Sequence, residues 1–255
     1  MSISERARTF AALHIPGNPL HLVNVWDAGS AQAVETAGAK AIATGSWAVA
    51  AAQGHHDGQS LPLDLMLAIS SRITSATALP VTLDFEGGYA DTPEDLARNT
   101  ERLLTTGAVG LNFEDQVIGG TGLHPIPAQA TRIAVVRRVA DTTGIPLFIN
   151  ARCDLFFQSG PAAHKGQIEE ALRRAEAYAE AGASGFFTPG LSDPKLIERL
   201  AAACPLPLNI MTGRESPIAS ELANAGVARI SHGPAPYLAA MSFVTAEARG
   251  HLSTA

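Results

Sequence analysis

Val81-Thr82-Leu83-Asp84-Phe85-Glu86-Gly87-Gly88-Tyr89 is the stretch that decides the fold, an apolar run that ends in two acids and two glycines. A second stretch of the same design, Leu111-Asn112-Phe113-Glu114-Asp115, follows after a helix-like segment. Short apolar runs bounded by turn residues are typical of buried strands in parallel sheets. Neighbouring strands lie about 5 Å apart, so the acids of both runs are expected at the same end of one sheet.

The clustered acids indicate a site for a divalent cation. Asp84 and Glu86 are two residues apart, and because strand side chains alternate, both can point to the same side. Carboxylates brought together repel one another and are costly to bury unless a cation neutralises them. Oxygen-only ligands suit a hard ion, so we predict that Mg²⁺ binds where these strands end.

The alternation of apolar runs with helix-period stretches predicts eight β/α units. Strands are expected to end near Asp27, Gly45, Asp84, Glu114, Arg152, Pro189, Met211 and Ser231. Helices are expected at 30–37, 62–78, 93–106, 127–142, 168–181, 194–203, 217–225 and 234–249. Most of these helices open with Pro, which suits the first helical turn. Eight such units indicate a single (β/α)₈ TIM barrel over residues 1–255; a doubly wound open sheet is the alternative, but it rarely needs eight units.

Composition and charge exclude several function classes. A net charge of −6 argues against nucleic acid as a partner, because phosphate binding needs a basic surface. There is no apolar run of membrane-spanning length, and the polar start at 1–8 does not resemble a signal peptide, so no membrane partner is expected. The two cysteines, Cys153 and Cys204, fit no metal or disulfide pattern, which favours a cytoplasmic protein.

The expected strand ends also indicate the kind of substrate. Barrel enzymes place their chemistry at the carboxyl ends of the strands. Acids gather at the third and fourth strand ends, and Arg152 follows at the fifth. A metal would polarise carbonyl and carboxylate oxygens, while the arginine binds a carboxylate or a developing oxyanion. This arrangement suits a small dicarboxylic or 2-oxo acid.

The motifs, taken in order, resemble the isocitrate lyase/phosphoenolpyruvate mutase superfamily. The likeness runs from about residue 24 to about residue 240 and rests on Thr44-Gly45-Ser46, Asp57, Asp84–Tyr89, Asn112–Gln116 and Asn150-Ala151-Arg152. Members of this superfamily are modified TIM barrels that bind Mg²⁺ or Mn²⁺. They make or break C–C or P–C bonds next to an α-oxo acid, so the resemblance implies a small α-oxo or α-hydroxy acid substrate and an enolate-like intermediate.

The resemblance implies a metal set of four carboxylates. Asp84 is expected to ligate the ion directly, because it occupies the position of the direct ligand in the superfamily motif. Asp57, Glu86 and Glu114 are expected to hold the ion largely through water, which suits the reluctance of Mg²⁺ to lose its hydration shell. Glu86 departs from the usual pattern, since Asp is common at this position, and its extra methylene is expected to shift the water shell.

The resemblance also implies a substrate-binding set. The motif Thr44-Gly45-Ser46 and the following Trp47 are expected to bind the substrate carboxylate, through the Ser46 side chain and the backbone N–H groups of 45–47. Arg152 is expected to contact the substrate's carboxylate or its C2 oxygen. The loop after Glu114 corresponds to the superfamily's gating loop, which closes over the substrate and excludes water.

That loop departs from both familiar versions. Superfamily lyases carry Lys-(Lys/Arg)-Cys-Gly-His there, with the cysteine as proton donor, and mutases and phosphonopyruvate hydrolases carry Lys-Thr-Asn. This chain has Gly119-Gly120-Thr121-Gly122-Leu123-His124, which contains neither signature. The chemistry that remains needs only a metal and an enolate: decarboxylation or retro-aldol cleavage of a 2-oxo dicarboxylic acid, with an oxaloacetate-like substrate favoured.

The predicted catalytic set combines electrostatic and proton-transfer roles. Arg152 is expected to stabilise the enolate oxygen, with Glu114 and Asp57 beside the metal. A proton must then reach C3 from solvent or from a local acid. His124 on the loop and His232 after the last strand are candidates, because imidazole titrates near neutrality.

Three other interpretations stay open or are rejected. A P–C bond enzyme is an alternative, because the segment 231–234 opens a helix that suits a phosphonate or a distal carboxylate. A non-catalytic barrel that binds a metal and an α-oxo acid is a second alternative, given the loop. A Schiff-base aldolase is rejected, because no lysine lies at a strand end.

The resemblance also implies a homo-oligomer, a dimer or tetramer that exchanges the eighth helix, 234–249, between subunits.

Overall fold

The computed structural model describes residues 1–213 and 216–253, and its centre is a sheet of parallel strands. The strands are β1 (Leu20–Leu22), β2 (Asn24–Val25), β3 (Ile42–Thr44), β4 (Val81–Asp84), β5 (Gly110–Glu114), β6 (Phe148–Arg152), β7 (Gly185–Thr188), β8 (Leu208–Met211) and β9 (Arg229–Ser231). β1 pairs with β9 and β2 pairs with β3. Because only Val23 separates β1 from β2, these two are halves of one strand, and the sheet closes into an eight-stranded barrel.

Helices surround this barrel. They are α1 (Ile3–Ala12), α2 (Ala28–Thr36), α3 (Ser46–Ala52), α4 (Leu63–Ser75), α5 (Pro93–Leu104), α6 (Ile126–Thr142), α7 (Pro161–Glu180), α8 (Pro194–Ala203), α9 (Ala219–Asn224) and α10 (Ala235–Leu252). Within the described ranges, no helix combines the length and the apolar character that crossing a membrane requires.

The predicted (β/α)₈ barrel is confirmed, and three local differences accompany it. Helix α1 was not predicted; its capping box, in which Ser2 and Glu5 exchange hydrogen bonds, starts a helix in a polar segment. Helix α3 occupies an Ala-rich stretch that had been interpreted as a strand end and loop. Helix α7 begins at Pro161, seven residues before the expected start at Ile168, because Pro161 provides the first-turn proline.

Strand register places the acids together. β4 pairs with β5 so that Asp84 lies beside Asn112, and β5 pairs with β6 so that Glu114 lies beside Arg152. In parallel strands, directly paired residues share the same face. The carboxyl ends of β4, β5 and β6 therefore bring two acids and a guanidinium to one side of the barrel mouth.

Helix α10 differs from the other helices around the barrel, because none of its residues is buried. Its exposed apolar side chains include Leu238, Phe243 and Val244, and Phe243 is 67% exposed. An 18-residue helix of this kind offers an apolar surface that nothing in the described chain covers.

Candidate active site

A cavity of about 120 Å³ opens at the carboxyl ends of the strands. One wall is polar and includes Asp57, Asp84 and Arg152, with Ser46 beside them. Another part of the lining, the apolar wall, consists mainly of Trp47, Phe157, Phe187, Met211 and Pro234. A concave, largely apolar space with a few convergent charged groups is the usual form of a small-molecule site.

Asp84 stands at the centre of the polar wall. Its Oδ2 accepts a hydrogen bond of 3.1 Å from the Ser46 backbone N–H, and its own backbone N–H donates to Thr44 Oγ1 at 2.9 Å. Its Oδ1 is buried and has no hydrogen-bond partner. A buried carboxylate oxygen without a partner is costly, so this atom indicates a ligand-binding position.

Glu86 belongs to a cluster of strained residues beside Asp84. Among the described residues, Gln59, Glu86 and Tyr89 are the non-glycine residues with positive φ, at 60°, 49° and 53°. They bind one another: Gln59 N–H donates to Glu86 Oε2 at 2.6 Å, Tyr89 O–H donates to Glu86 Oε1 at 2.9 Å, and Tyr89 N–H donates to Gln59 Oε1 at 2.7 Å. Such strain persists only where the surroundings enforce it, and it concentrates at functional sites. The longer Glu side chain is therefore held by two protein donors.

Like charges raise the pKa values of the acids around Asp84. Burial, together with the nearby carboxylates of Asp84 and Asp57, raises the pKa of Glu86 to about 7. Asp57 is exposed as a residue, but its carboxyl faces the cavity, where partial burial and the charge of Asp84 raise its pKa. A bound cation would relieve this repulsion and return both groups to their ionised form.

Arg152 is clamped between two buried acids. Its Nη1 lies 3.0 Å from Glu114 Oε2 and its Nη2 lies 2.8 Å from Asp154 Oδ1. The guanidinium also lies 5.7 Å from the ring centre of Phe157 and 6.0 Å from that of Phe187. Its side chain is 14% exposed, and the exposed part lines the cavity. Fixed donors on a rigid strand end are suited to stabilising a developing oxyanion.

The two acids that hold Arg152 are themselves perturbed. Burial raises the pKa of Glu114 well above its ordinary value, although Arg152 opposes the shift. Burial raises the pKa of Asp154 to about 6, again against the effect of Arg152. Asp154 Oδ2 is buried without a hydrogen-bond partner. Asp154 Oδ1 holds the Arg152 guanidinium, so Asp154 is a structural partner of that residue.

The residues present fit a divalent cation held mainly through water. The unpaired Asp84 Oδ1 and the mutual repulsion of Asp84, Asp57 and Glu86 are the features that an ion would satisfy. In the part of the chain that the structure describes, no three His, Cys, Asp or Glu side chains converge closely enough to bind an ion directly. One direct carboxylate with others acting through water is the arrangement that Mg²⁺ accepts most readily.

The predicted substrate-binding residues surround the same space. Gly45, Ser46 and Trp47 line the cavity, and Arg152 lines it from the opposite strand end. Thr44 is buried behind them and accepts the Asp84 backbone N–H through its hydroxyl oxygen. The Ser46 backbone N–H donates to Asp84 Oδ2 in this structure, so it connects the substrate-binding segment with the acid cluster.

The two candidate histidines lie away from the cavity lining. His124 lines a separate space between the loop 116–124 and helices α5 and α6, together with Arg132. The His232 ring is within hydrogen-bonding distance of Thr212 Oγ1 at 3.1 Å and stacks on His21. The backbone N–H of His232 donates to Asn24 Oδ1, and Asn24 lines the cavity. Their proposed proton-transfer role stays a prediction.

Sequence reasoning missed a polar layer inside the barrel. Asn150 Nδ2 donates to Asn112 Oδ1 at 2.9 Å and to Asn209 Oδ1 at 3.0 Å, and Arg229 Nη2 donates to Asn112 Oδ1 at 3.0 Å. Three asparagines in otherwise apolar strands are the signal that indicates this layer. It supports the floor of the site, because Asn112 also lines the cavity.

Solved structures share this fold. A protein from Burkholderia cenocepacia J2315, provisionally described as a phosphonomutase, superposes with a TM-score of 0.96 at 47% identity, covering 98% of this chain and 100% of that one. A phosphonopyruvate hydrolase in complex with oxalate and Mg²⁺ superposes with a TM-score of 0.84 over 98% of this chain and 88% of that one. At 20% identity, the second likeness shows the fold alone.

Curated relatives are named as lyases and decarboxylases. The 2-methylisocitrate lyase of Escherichia coli K12 is 30% identical over 82% of this chain and 70% of its own length. The oxaloacetate decarboxylase of Ectopseudomonas mendocina is 28% identical over 93% of this chain and 81% of its own length. The sequence model of phosphoenolpyruvate phosphomutase matches residues 10–252. The chain therefore belongs to the phosphoenolpyruvate phosphomutase family, within the isocitrate lyase/phosphoenolpyruvate mutase superfamily of lyases and mutases.

Proposed function

We propose that this chain is a Mg²⁺- or Mn²⁺-dependent lyase that acts on a small 2-oxo carboxylic acid and breaks the bond from C3 to C4, so that the electron pair is taken up as an enolate at C2 and C3. An oxaloacetate-like substrate, which would release its C4 carboxylate as CO₂, is favoured. The observation that carries the proposal is the unpaired Asp84 oxygen, which lies among other carboxylates and lines the same small cavity as Arg152. Its size of about 120 Å³ is well below the roughly 300–1,000 Å³ of drug-sized sites, which favours a compact acid. Relatives named 2-methylisocitrate lyase and oxaloacetate decarboxylase support this class.

The charged residues of the polar wall would have different electrostatic roles in the reaction. When bound, the divalent ion would polarise the carboxylate and carbonyl oxygens of the 2-oxo acid. Asp84 would hold the ion directly, with Asp57, Glu86 and Glu114 acting through its water shell. Arg152 would orient the substrate and stabilise the negative charge that develops on the C2 oxygen. Because Glu114 and Asp154 fix the guanidinium beforehand, this stabilisation requires little reorganisation during the reaction.

The apolar wall favours loss of a carboxylate. A carboxylate that leaves as CO₂ loses its charge, so an environment poor in water destabilises the reactant more than the product. Among the apolar residues that line the cavity, Phe187 is buried and Met211 is partly buried, and they provide such an environment. The leaving carboxylate of an oxaloacetate-like substrate would lie against these side chains.

Proton delivery to C3 completes the reaction. Solvent, Asp57, His124 and His232 are the available sources in this proposal. Asp57 is the one among these side chains that lines the cavity, so it is the one placed to relay a proton from solvent to C3. A histidine can take part if closure of the loop or movement of its ring brings it to the cavity.

A P–C bond reaction is the second candidate. The 47% identity to a protein provisionally described as a phosphonomutase favours it. Among the described residues that line the cavity, however, Arg152 is the one cation, and two carboxylates already bind it. A phosphonate dianion would therefore depend on the bound metal ion for most of its charge compensation.

The experiment that tests the proposal is a turnover comparison. Pyruvate release from oxaloacetate is measured with Mg²⁺ or Mn²⁺, after subtraction of the metal-only rate, and with EDTA as a control. Phosphonopyruvate and 2-methylisocitrate are assayed in parallel. Enzyme-dependent release from oxaloacetate is expected. Turnover of phosphonopyruvate alone would support the P–C bond reaction instead. No turnover of any of the three substrates would support the non-catalytic alternative.

We also propose that the protein is a homo-oligomer that covers helix α10. The support is the exposed apolar surface of that helix, which includes Leu238, Phe243 and Val244. Light scattering after size-exclusion chromatography should give a dimer or tetramer, and Phe243→Glu should shift the population toward monomer. A wild-type protein that is monomeric at micromolar concentration would contradict this proposal.

A further inference from the structure

Asp115 bonds to two separate segments of the site. Its side-chain Oδ1 accepts the backbone N–H of Asp154 at 2.9 Å, and Asp154 holds Arg152. Its backbone carbonyl accepts the backbone N–H of His124 at 2.7 Å. One residue therefore connects the far end of the loop 116–124 with the strand end that carries the guanidinium.

Helix α7 completes this connection. Arg174 Nη1 donates to Asp115 Oδ2 at 3.1 Å and to the carbonyl oxygen of His124 at 3.0 Å. The Tyr178 hydroxyl donates to Asp115 Oδ2 at 2.8 Å and accepts from Arg174 Nη1 at 2.9 Å.

This group of residues is deeply buried and its hydrogen bonds are complete. Asp115 and Tyr178 have no exposed surface, and the Arg174 side chain is 8% exposed. Both oxygens of Asp115 have donors, and none of the three side chains has a buried polar atom without a partner. A polar network of this kind specifies one arrangement, because any displacement leaves charges without partners in a low-dielectric interior.

The loop that these residues hold has few constraints of its own. Gly119 and Gly122 adopt positive φ, and added Cβ atoms there would meet nothing within 4 Å. Its internal bonds are a bridge between Gln116 and Leu123, a hydrogen bond of 3.0 Å from Val117 N–H to the Gly122 carbonyl and one of 3.1 Å from Gly120 N–H to the Val117 carbonyl. These bonds shape the loop but do not join it to the barrel, so its placement depends largely on how its ends are anchored.

We propose that Asp115, Arg174 and Tyr178 are positioning residues that hold the loop 116–124 and the Arg152–Asp154 segment in one fixed register. None of the three lines the cavity, so their effect on the reaction is indirect. The consequence for turnover rests on the role proposed above for Arg152. The anchoring itself does not depend on any substrate.

The test combines amide hydrogen exchange with steady-state kinetics on the full-length protein. Arg174→Met removes the charge and the hydrogen bonds of the guanidinium while it keeps an extended apolar side chain; the bonds lost are those to Asp115, His124, Tyr178 and Glu170. Arg174→Lys restores a cation, and Tyr178→Phe removes only the hydroxyl. Arg173→Met is the matched control, because Arg173 is the next residue of the same helix and pairs with Glu170 at the surface. Ile168→Val, a buried change on that helix, controls for a general loss of stability.

We expect Arg174→Met to accelerate exchange in the loop 116–124 by about tenfold and to lower kcat by about tenfold, with a smaller change in KM. Tyr178→Phe should show the same pattern at a smaller size, Arg174→Lys should recover part of both effects, and the two controls should show neither. Wild-type exchange in the loop for folded Arg174→Met, or for Tyr178→Phe if Arg174→Met does not fold, would overturn the inference. If the wild type turns over no 2-oxo acid, the proposed function fails, while the exchange comparison still decides the anchoring.

Discussion

At the ends of β4, β5 and β6, carboxylates lie on two opposite sides, one toward the cavity and one toward helix α7. The two sides differ in how well the polar atoms of these carboxylates are satisfied. On the cavity side, Asp84 repels its neighbours Asp57 and Glu86, and its Oδ1 has no partner. On the helix side, Asp115 is the centre of a complete set of donors that includes Arg174. Glu114 and Asp115 are adjacent in sequence, but strand alternation points them to opposite sides.

The difference teaches how to separate functional acids from structural ones in this fold. A structural carboxylate is buried with its donors, because the folded state must satisfy it without outside help. Asp84, the carboxylate proposed to bind the ion, instead has an unsatisfied atom and lies among like charges, because a ligand completes it. The cavity-side group therefore contributes to function and lowers stability, whereas the helix-side group contributes to stability.

The largest expected effect is the loss of turnover in Asp84→Ala. We expect metal-dependent pyruvate release to fall by about a thousandfold or more, equivalent to about 4 kcal/mol in the barrier. The free energy of unfolding in EDTA should not fall, because the substitution removes a repelled, partly unsatisfied carboxylate. Turnover in the presence of Mg²⁺ and urea unfolding in EDTA measure the two quantities. A variant that unfolds more easily but retains its activity would contradict the comparison.

The second prediction concerns the free energy of unfolding, which should fall when Asp115 is substituted but not when Asp84 is. Asp115→Asn should lower the free energy of unfolding by about 3 kcal/mol, because it removes the buried carboxylate that accepts from Arg174 Nη1 and leaves only the partly exposed Glu170 to pair with this guanidinium. Asp84→Asn should leave that free energy unchanged or raise it. Urea unfolding of both variants in EDTA provides the measurement. Equal losses in the two variants would show that the two groups do not differ as described.

The third prediction concerns pH. The folded-state pKa of Glu86 is raised to about 7 from an ordinary value of 4.5, so the folded state keeps a proton that the unfolded state loses. The resulting stabilisation is present below about pH 4.5 and is lost as the pH rises through about 7. Relative to Glu86→Gln, the metal-free wild type should lose about 2 to 3 kcal/mol between pH 5 and pH 8. Urea unfolding at both pH values tests this, and parallel pH profiles for the two proteins would refute it.

The sequence predicted the barrel well because its signals are local and repeated. Apolar runs such as 81–83 and 208–211 end in polar residues at the correct end of each strand, and the register of a closed barrel then brings Asp84, Glu114 and Arg152 together. The two unpredicted helices have local explanations. Helix α1 begins in a polar segment where only its capping box identifies it, and helix α3 is an Ala-rich run without a polar face.

The rest of the site could not be predicted, because it depends on contacts between distant segments. The bond between Gln59 and Glu86 joins residues 27 positions apart, and the bond between Asp115 and Arg174 joins residues 59 positions apart. No spacing rule connects such pairs. The same limit applies to His124 and His232, whose residue type indicated proton transfer while the fold placed both rings outside the cavity lining.

The smallest expected effect comes from those histidines. Because neither ring lines the cavity, we expect the double variant His124→Gln, His232→Gln to retain turnover within about threefold of the wild type, equivalent to less than 1 kcal/mol. Initial rates with oxaloacetate and Mg²⁺ measure it. A loss of a hundredfold or more would show that a histidine reaches the substrate during turnover.

The most direct test of the central claim is a titration of Mn²⁺ binding by electron paramagnetic resonance in the wild type, Asp84→Ala and Asp115→Asn. The account predicts one bound ion per chain in the wild type, binding weakened by about a hundredfold in Asp84→Ala, and affinity close to wild type in folded Asp115→Asn. Undiminished binding in Asp84→Ala, or no specific binding to the wild type, would contradict the claim that the cavity-side carboxylates form the metal site.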